Sequence, residues 1–234
     1  VRNMVFVNGS LTTIAMLAFA GNSILGRLAL VDGETGAGGF VLIRLLSGAV
    51  TLALLAALQG KALRGDWRSA AALLGYAALF SYAYLALPAG TGAMILFAMV
   101  QITMVGAGLR RGETLSPLQW AGLILAFVAL GWMLSPGLEA PHPLGAASMA
   151  VSGICWGAYS LMGRTATDPT AATAGNFARA AAIAAVLALP VFLLSPEAMP
   201  TPRGVGLAIA SGALMSGLGY AIWYAALRDL TATR

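Results

Sequence analysis

Two arginines carry the clearest chemical signal in this sequence. Arg44 stands in "VLIRLLSG" and Arg179 in "NFARAAAI", each some residues inside an apolar run. Charge at such depth is expensive, and the side chain faces an aqueous cavity or a partner. A guanidinium lining a cavity favours a carboxylate or another anionic group. A second placement is open, because neither arginine is central in its run and a long side chain can snorkel to the nearer interface. Arg27 lies closer to the end of its run, so snorkelling suits it better.

The neutral polar groups at similar depth are Asn22, Gln101 and Asn176. Buried amides need partners, which are either other helices or a substrate. Among the aromatic residues, Trp156 and Tyr159 share a helix face at a spacing of three, and Tyr220 and Tyr224 do so at a spacing of four. Such ring pairs either line a pocket for an apolar or aromatic compound or belong to packing and interfacial belts. The candidate substrate-contact set is therefore Asn22, Arg44, Tyr82, Gln101, Trp156, Tyr159, Asn176, Arg179, Tyr220, Trp223 and Tyr224. Gly153 and Gly157 form a Gly-x-x-x-Gly pair, which marks close helix contact.

Several kinds of chemistry lack their residues. Asp32, Glu34, Asp66, Glu113, Glu139, Asp168, Glu197 and Asp229 all fall in loops or at the ends of apolar runs. The intramembrane carboxylate that a proton-driven antiporter uses is therefore missing from this chain. One cysteine, Cys155, excludes an internal disulfide and a Cys-rich metal site. A single histidine, His142, leaves little material for a Ser-His-Asp arrangement. An intramembrane enzyme would need clustered His, Asp or Cys at membrane depth, so the reading is not an enzyme, with no metal and no cofactor. The basic residues are scattered singly without interleaved aromatics, which argues against nucleic acid as a partner.

The composition says what solvent surrounds these residues. Of 234 residues, 59% are hydrophobic and 9% charged, against about 25% charged in an ordinary soluble domain. A chain so poor in charge cannot cover itself in water, so its main partners are the lipid bilayer and a small-molecule substrate. A span needs about 20 mostly apolar residues. Eight such segments can be placed near 10–30, 37–58, 67–87, 91–109, 116–134, 144–163, 172–194 and 204–227. The fold class is thus all-α integral membrane, with short connections rich in turn residues. Alternate connections carry Arg2, then Lys61, Arg64 and Arg68, then Arg110 and Arg111, then Arg164, then Arg228, whereas the opposite ones hold Asp32, Glu34, Glu139 and Glu197. The positive-inside rule places the N-terminus in the cytoplasm.

The chain also repeats itself. "NSILGRLAL" answers "YSLMGRTAT", which matches Gly26-Arg27 with Gly163-Arg164. Arg44 then aligns with Arg179, and "YLAL" from Tyr84 with "YAAL" from Tyr224. The first repeat spans 1–135 with five segments, so the second, 136–234, starts from the opposite face of the membrane. Inverted repeats of this kind are a frequent plan of secondary transporters, with the substrate bound near the midplane between them.

At these residues the sequence resembles the drug/metabolite transporter superfamily, in particular its EamA-type members. The resemblance rests on "GRLAL", "RLLSGA", "LPAGTGAMI", "GICWGAYSLMGR" and "YAIWYAALRDLTAT", and most specifically on "RRGETLSPLQWAGLILAFVALGWML". It implies ten helices in two inverted five-helix units, of which eight are visible, and a chain that is C-terminally truncated by two helices. It further implies a multi-pass protein of the bacterial cytoplasmic (inner) membrane that exports small metabolites, such as amino acids, by alternating access. For Gly112-Glu113 it implies a structural or gating part, in line with a charged turn at a helix end. A drug or cation efflux transporter of the same fold and a non-transporting membrane scaffold are the alternatives.

Overall fold

The computed structural model describes residues 2–133, 141–194 and 199–227. The described elements are helical: α1 (Arg2–Val31), α2 (Ala37–Leu58), α3 (Trp67–Tyr84), α4 (Ala89–Arg110), α5 (Pro117–Met133), α6 (Pro143–Arg164), α7 (Pro169–Leu194), α8 (Pro202–Ile209) and α9 (Gly219–Leu227). A π-helical segment, Ala210–Leu218, joins α8 to α9 in one continuous rod. Helices thus stand at all the expected segments. Glu139, Glu197, Arg228, Asp229 and the expected start of a ninth span lie outside the described residues.

Six helices among the described residues are long and apolar enough to cross a membrane: Ser10–Val31, Ala37–Leu58, Ala89–Arg110, Pro143–Arg164, Pro169–Pro190 and Pro202–Tyr224. The protein is therefore a multi-pass helical membrane protein. Two helices stand apart from this set: α3 has 18 residues and α5 has 17.

Local chemistry sets the helix starts. Asp66 caps α3 by accepting the Ser69 N–H at 2.9 Å, and Thr201 Oγ1 caps α8 by accepting the Gly204 N–H at 3.0 Å. Before α5, Ser116 and Gln119 satisfy each other's backbone N–H groups at 3.3 and 2.8 Å, a reciprocal capping box. Pro117, Pro143, Pro169 and Pro202 each open a helix, where the missing N–H costs nothing. Gly112 ends the α4 region with φ +84°, a conformation that a side chain would strain. Gly112-Glu113 thus forms a turn at the end of α4, where the Glu113 N–H donates to the Gly108 carbonyl at 3.0 Å.

Packing runs across the two halves of the sequence. α2 lies along α7, α3 and α4 both lie on α6, and α1 lies along the α8–π–α9 rod. In lipid the hydrophobic effect does not hold helices together, so close van der Waals contact must. Gly153 and Gly157 provide it for α6 against α4. A Cβ on Gly153 would stand 2.6 Å from both the Leu96 carbonyl oxygen and Met99 Cβ, and one on Gly157 would stand 2.7 Å from Thr103 Cβ. The small-residue pair thus marks a helix contact, as its spacing predicts.

Gly153→Leu should therefore destabilise the protein in detergent by roughly 1–3 kcal/mol through overpacking. Gly122→Ala, at a position where a Cβ meets nothing within 4 Å, should leave the thermal melting temperature unchanged or slightly raised. Equal melting temperatures for the Gly153 variant and the parent would contradict the packing described.

Candidate functional site

Asn22 on α1 and Arg44 on α2 meet the π segment in the interior of the bundle, and Tyr76 on α3 meets Arg44 there. Arg44 is 1% exposed, and it sits about two turns inside the start of α2. Its Nε donates to Ser216 Oγ at 3.1 Å and its Nη2 donates to the Tyr76 hydroxyl at 2.6 Å. The guanidinium carbon lies 5.0 Å from the centre of the Tyr76 ring and 4.8 Å from that of Phe80, so the ring quadrupoles partly balance the charge. Asn22 Nδ2 donates to the same Ser216 Oγ at 3.3 Å, and Ser211 Oγ donates to Asn22 Oδ1 at 2.7 Å. Arg44 Nη1 is buried and has no hydrogen-bond partner.

The π segment positions both serines. Stretches of π-helix are rare and collect at functional sites. Here a nine-residue stretch brings Ser211 and Ser216 onto α1 and α2. Gly212 makes this approach possible, because a Cβ there would collide with Ser47 Oγ and the Arg44 carbonyl oxygen.

A cluster of packed aromatic rings adjoins the arginine. Tyr76 stacks on Trp156 at 5.3 Å and 24°. Phe19 meets the edge of Trp156 at 4.7 Å and lies 5.5 Å from Tyr220. Tyr220 stacks on Tyr224 at 6.1 Å and meets Tyr159 edge-on at 5.5 Å. Trp156 Nε1 and the Tyr220 hydroxyl are buried without hydrogen-bond partners.

The two ends of the bundle are closed by contacts between loops. At one end, Arg203 lies 2.9 Å from Glu34 and 3.7 Å from Asp32. There the Thr201 hydroxyl also donates to the Glu34 carboxylate, and the Thr201 N–H donates to the Glu34 carbonyl at 2.8 Å. At the other end, Lys61 pairs with Asp168 at 3.1 Å, the Arg64 N–H donates to the Ala171 carbonyl at 2.9 Å, and the Asp66 N–H donates to Asn176 Oδ1 at 2.9 Å. Gly65, with φ +106°, lets this loop lie flat on α7.

The hydrogen bonds of these end contacts perturb their carboxyl groups. The Thr201 hydroxyl, helped by Arg203, holds Glu34 below the usual carboxylate range. The Ser69 side chain and N–H lower Asp66. Partial burial pushes Asp168 up, but the Ala171 N–H and Lys61 outweigh it and the net shift is downward.

The sequence-derived candidates divide into several places. Asn22, Arg44, Trp156, Tyr159, Tyr220 and Tyr224 belong to the buried centre, and Trp223 borders it, 5.8 Å from Phe19. Of the two placements open to the arginines, Arg44 takes the inward one. Arg179 instead reaches the bundle end. It donates to the carbonyls of Arg64 and Gly175, both at 3.0 Å, and stands over Trp67 at 5.6 Å. Asn176 accepts the Asp66 N–H and so ties α7 to the loop at the same end.

Tyr82 is 57% exposed and faces outward, so it does not share the centre with the others. The buried face of α3 carries Tyr76, Phe80 and Tyr84, and position 82 falls on the opposite side of a 3.6-residue turn. Gln101 is also separate. It lines a cavity of about 460 Å³ between α4 and α5, with Met94, Phe97, Leu123 and Phe127. Sequence reasoning missed Tyr76, Ser211 and Ser216. The four-residue step Tyr76, Phe80, Tyr84 was a legible signal for the first; nothing local set the serines apart.

The comparisons bear on this arrangement as a whole. No protein-family model matches the sequence. The chain is 52% identical over 227 residues to "Uncharacterized protein PA1977" of Pseudomonas aeruginosa, a match that takes in 95% of this chain and 77% of that protein. The chain belongs to the PA1977 family. A protein of known crystal structure superposes with a TM-score of 0.66 over 92% of this chain and 80% of its own, at 21% identity. That likeness places the PA1977-family chain in a shared fold and says nothing of its activity.

The carboxyl shifts at the loop contacts have a definite sign. A folded-state pKa held below the unfolded one contributes stability above the unfolded value, near 4, and that contribution is lost as pH falls through the folded pKa. Protection of the Arg64 amide from hydrogen exchange should therefore fall on acidification below about pH 4, relative to Asp168→Asn at the same pH. The Lys61–Asp168 pair is part-exposed, so its effect at neutral pH should stay below about 1 kcal/mol. Identical protection in parent and variant throughout the titration would remove Asp168 from the closure.

Proposed function

We propose that the protein is a secondary transporter that exports small metabolites, amino acids or related compounds, across the bacterial cytoplasmic membrane by alternating access. The observation that carries this reading is a buried polar centre, with an unpaired guanidinium nitrogen, between two loop-to-loop closures at opposite ends of α2. A solute carrier needs a site shut off from both sides and a way to open each side in turn. A scaffold has no use for an uncompensated charge in its core.

Internal symmetry supports the same reading. In the first half, a Cβ on Gly26 would stand 3.6 Å from the Tyr84 ring; in the second, one on Gly163 would collide with the Tyr224 ring. These four residues are the matched positions of the sequence repeat. The packing follows the same exchange: α3 against α6 answers the last rod against α1, and α2 against α7 answers itself. The helix caps Asp66 and Thr201 have the same separation in sequence as Arg44 and Arg179. On this reading α3 and α5 are also spans, which gives eight of a ten-helix EamA-type plan. The end that holds Lys61, Arg64 and Arg68 faces the cytoplasm.

The test is flux through the full-length gene product in liposomes, with Cys155→Ala as background. Cysteines at positions 61 and 168, bridged by a short bis-maleimide, should lower counterflow of a transported metabolite to background. A bridge between positions 34 and 203 should do the same from the other side. Flux unaffected by either bridge would refute alternating access through these ends, and no flux for amino acids, organic anions or cationic drugs would refute transport.

A further inference from the structure

We infer that the Arg44 centre binds an organic monoanion with a flat apolar body, of which an aromatic carboxylate is the simplest example. This shifts the metabolite class proposed above from amino acids to related organic acids and rests on the transport reading, since the centre is buried and entry requires one end of the bundle to open.

A buried guanidinium is costly unless it is paired. Each partner of Arg44 is neutral: a serine hydroxyl, a phenol and two ring faces. The acidic residues among those described, Asp32, Glu34, Asp66, Glu113 and Asp168, all stand at helix ends or in loops. The described residues therefore supply no counter-ion at this depth, and Nη1 is left without a hydrogen bond. A carboxylate docked on Nη1 would neutralise the charge and satisfy that N–H group in one step.

The surroundings choose the rest of the ligand. Trp156 stacks on the same Tyr76 that holds Arg44. Phe19 and Tyr220 extend the aromatic wall from there, which suits a flat ring at edge-to-face or stacked distance. Trp156 Nε1 and the Tyr220 hydroxyl, both buried without partners, offer further donors to an anion or a ring hydroxyl. An ammonium group finds the opposite. It would enter beside a fixed positive charge with no carboxylate to receive it. The centre thus disfavours organic cations and zwitterionic amino acids relative to the corresponding acid.

The experiment is calorimetric titration of the purified full-length gene product with benzoate, L-phenylalanine and benzylamine at constant chloride. Benzoate should bind at least about tenfold more tightly than either of the others. Arg44→Gln should weaken benzoate binding by at least about tenfold, with Arg44→Lys retaining part of it. Preference for benzylamine or phenylalanine, or unchanged benzoate binding in a folded Arg44→Gln protein, would overturn the assignment. Should Arg44→Gln fail to fold, Trp156→Phe and Tyr220→Phe keep the rings and remove the free donors. Weaker benzoate binding in either variant supports the site, and unchanged binding in both overturns it. Flux of another solute without benzoate binding would sink this site and leave transport standing. Benzoate binding without flux of any solute would do the reverse.

Discussion

The structure turns on a positive charge buried among neutral partners. Arg44 is held by the hydroxyls of Ser216 and Tyr76 and the faces of Tyr76 and Phe80. These contacts reduce the cost of burial and do not cancel it, because hydroxyls and ring quadrupoles solvate a cation without neutralising it. Four elements converge to make even this arrangement. α2 carries the arginine, α3 brings Tyr76, the π segment brings Ser216, and α1 brings Asn22 to share that serine. Gly212 lets the π segment approach α2 closely enough for the serine to reach.

The ends of the bundle obey a different rule. Their ion pairs are partly exposed, as with Arg203 at 59% and Lys61 at 31%, and pairs of that kind contribute little to stability. Weak closures suit the proposed opening of each end in turn, whereas the contact of α6 with α4 is closely packed at its glycines. Under the proposed alternating access, the energetic contrast between a tight interior seam and weak ends is what the fold would contribute.

Much of the architecture was legible in the sequence because lipid imposes a simple grammar. Apolar length, Pro at helix starts and turn residues between runs located the helices to within a few residues, apart from α1, which begins at Arg2, eight residues before the expected run. The Gly153-Gly157 pair located a seam, and the ring pairs Trp156/Tyr159 and Tyr220/Tyr224 located part of the centre. What could not be read was which matched residue does what. Arg44 and Arg179 align with each other in the sequence, yet one is buried at the centre and the other donates to the Arg64 carbonyl of the α2–α3 loop. Tyr82 was legible in principle, since the face shared by Tyr76, Phe80 and Tyr84 excludes it. Ser211 and Ser216 were not, because the π geometry that aims them leaves no mark in composition.

The most direct test of the account is access to the centre from each side of the membrane. With Cys155 replaced by Ala, a single cysteine at Ser216 beside Arg44 can be challenged with a membrane-impermeant thiol reagent, in cells and in inverted vesicles. The account predicts labelling from both sides. Bridging positions 61 and 168 should abolish it from one side only, and bridging positions 34 and 203 from the other only. Labelling from a single side regardless of the bridges, or from neither side during turnover, would contradict a centre that opens alternately.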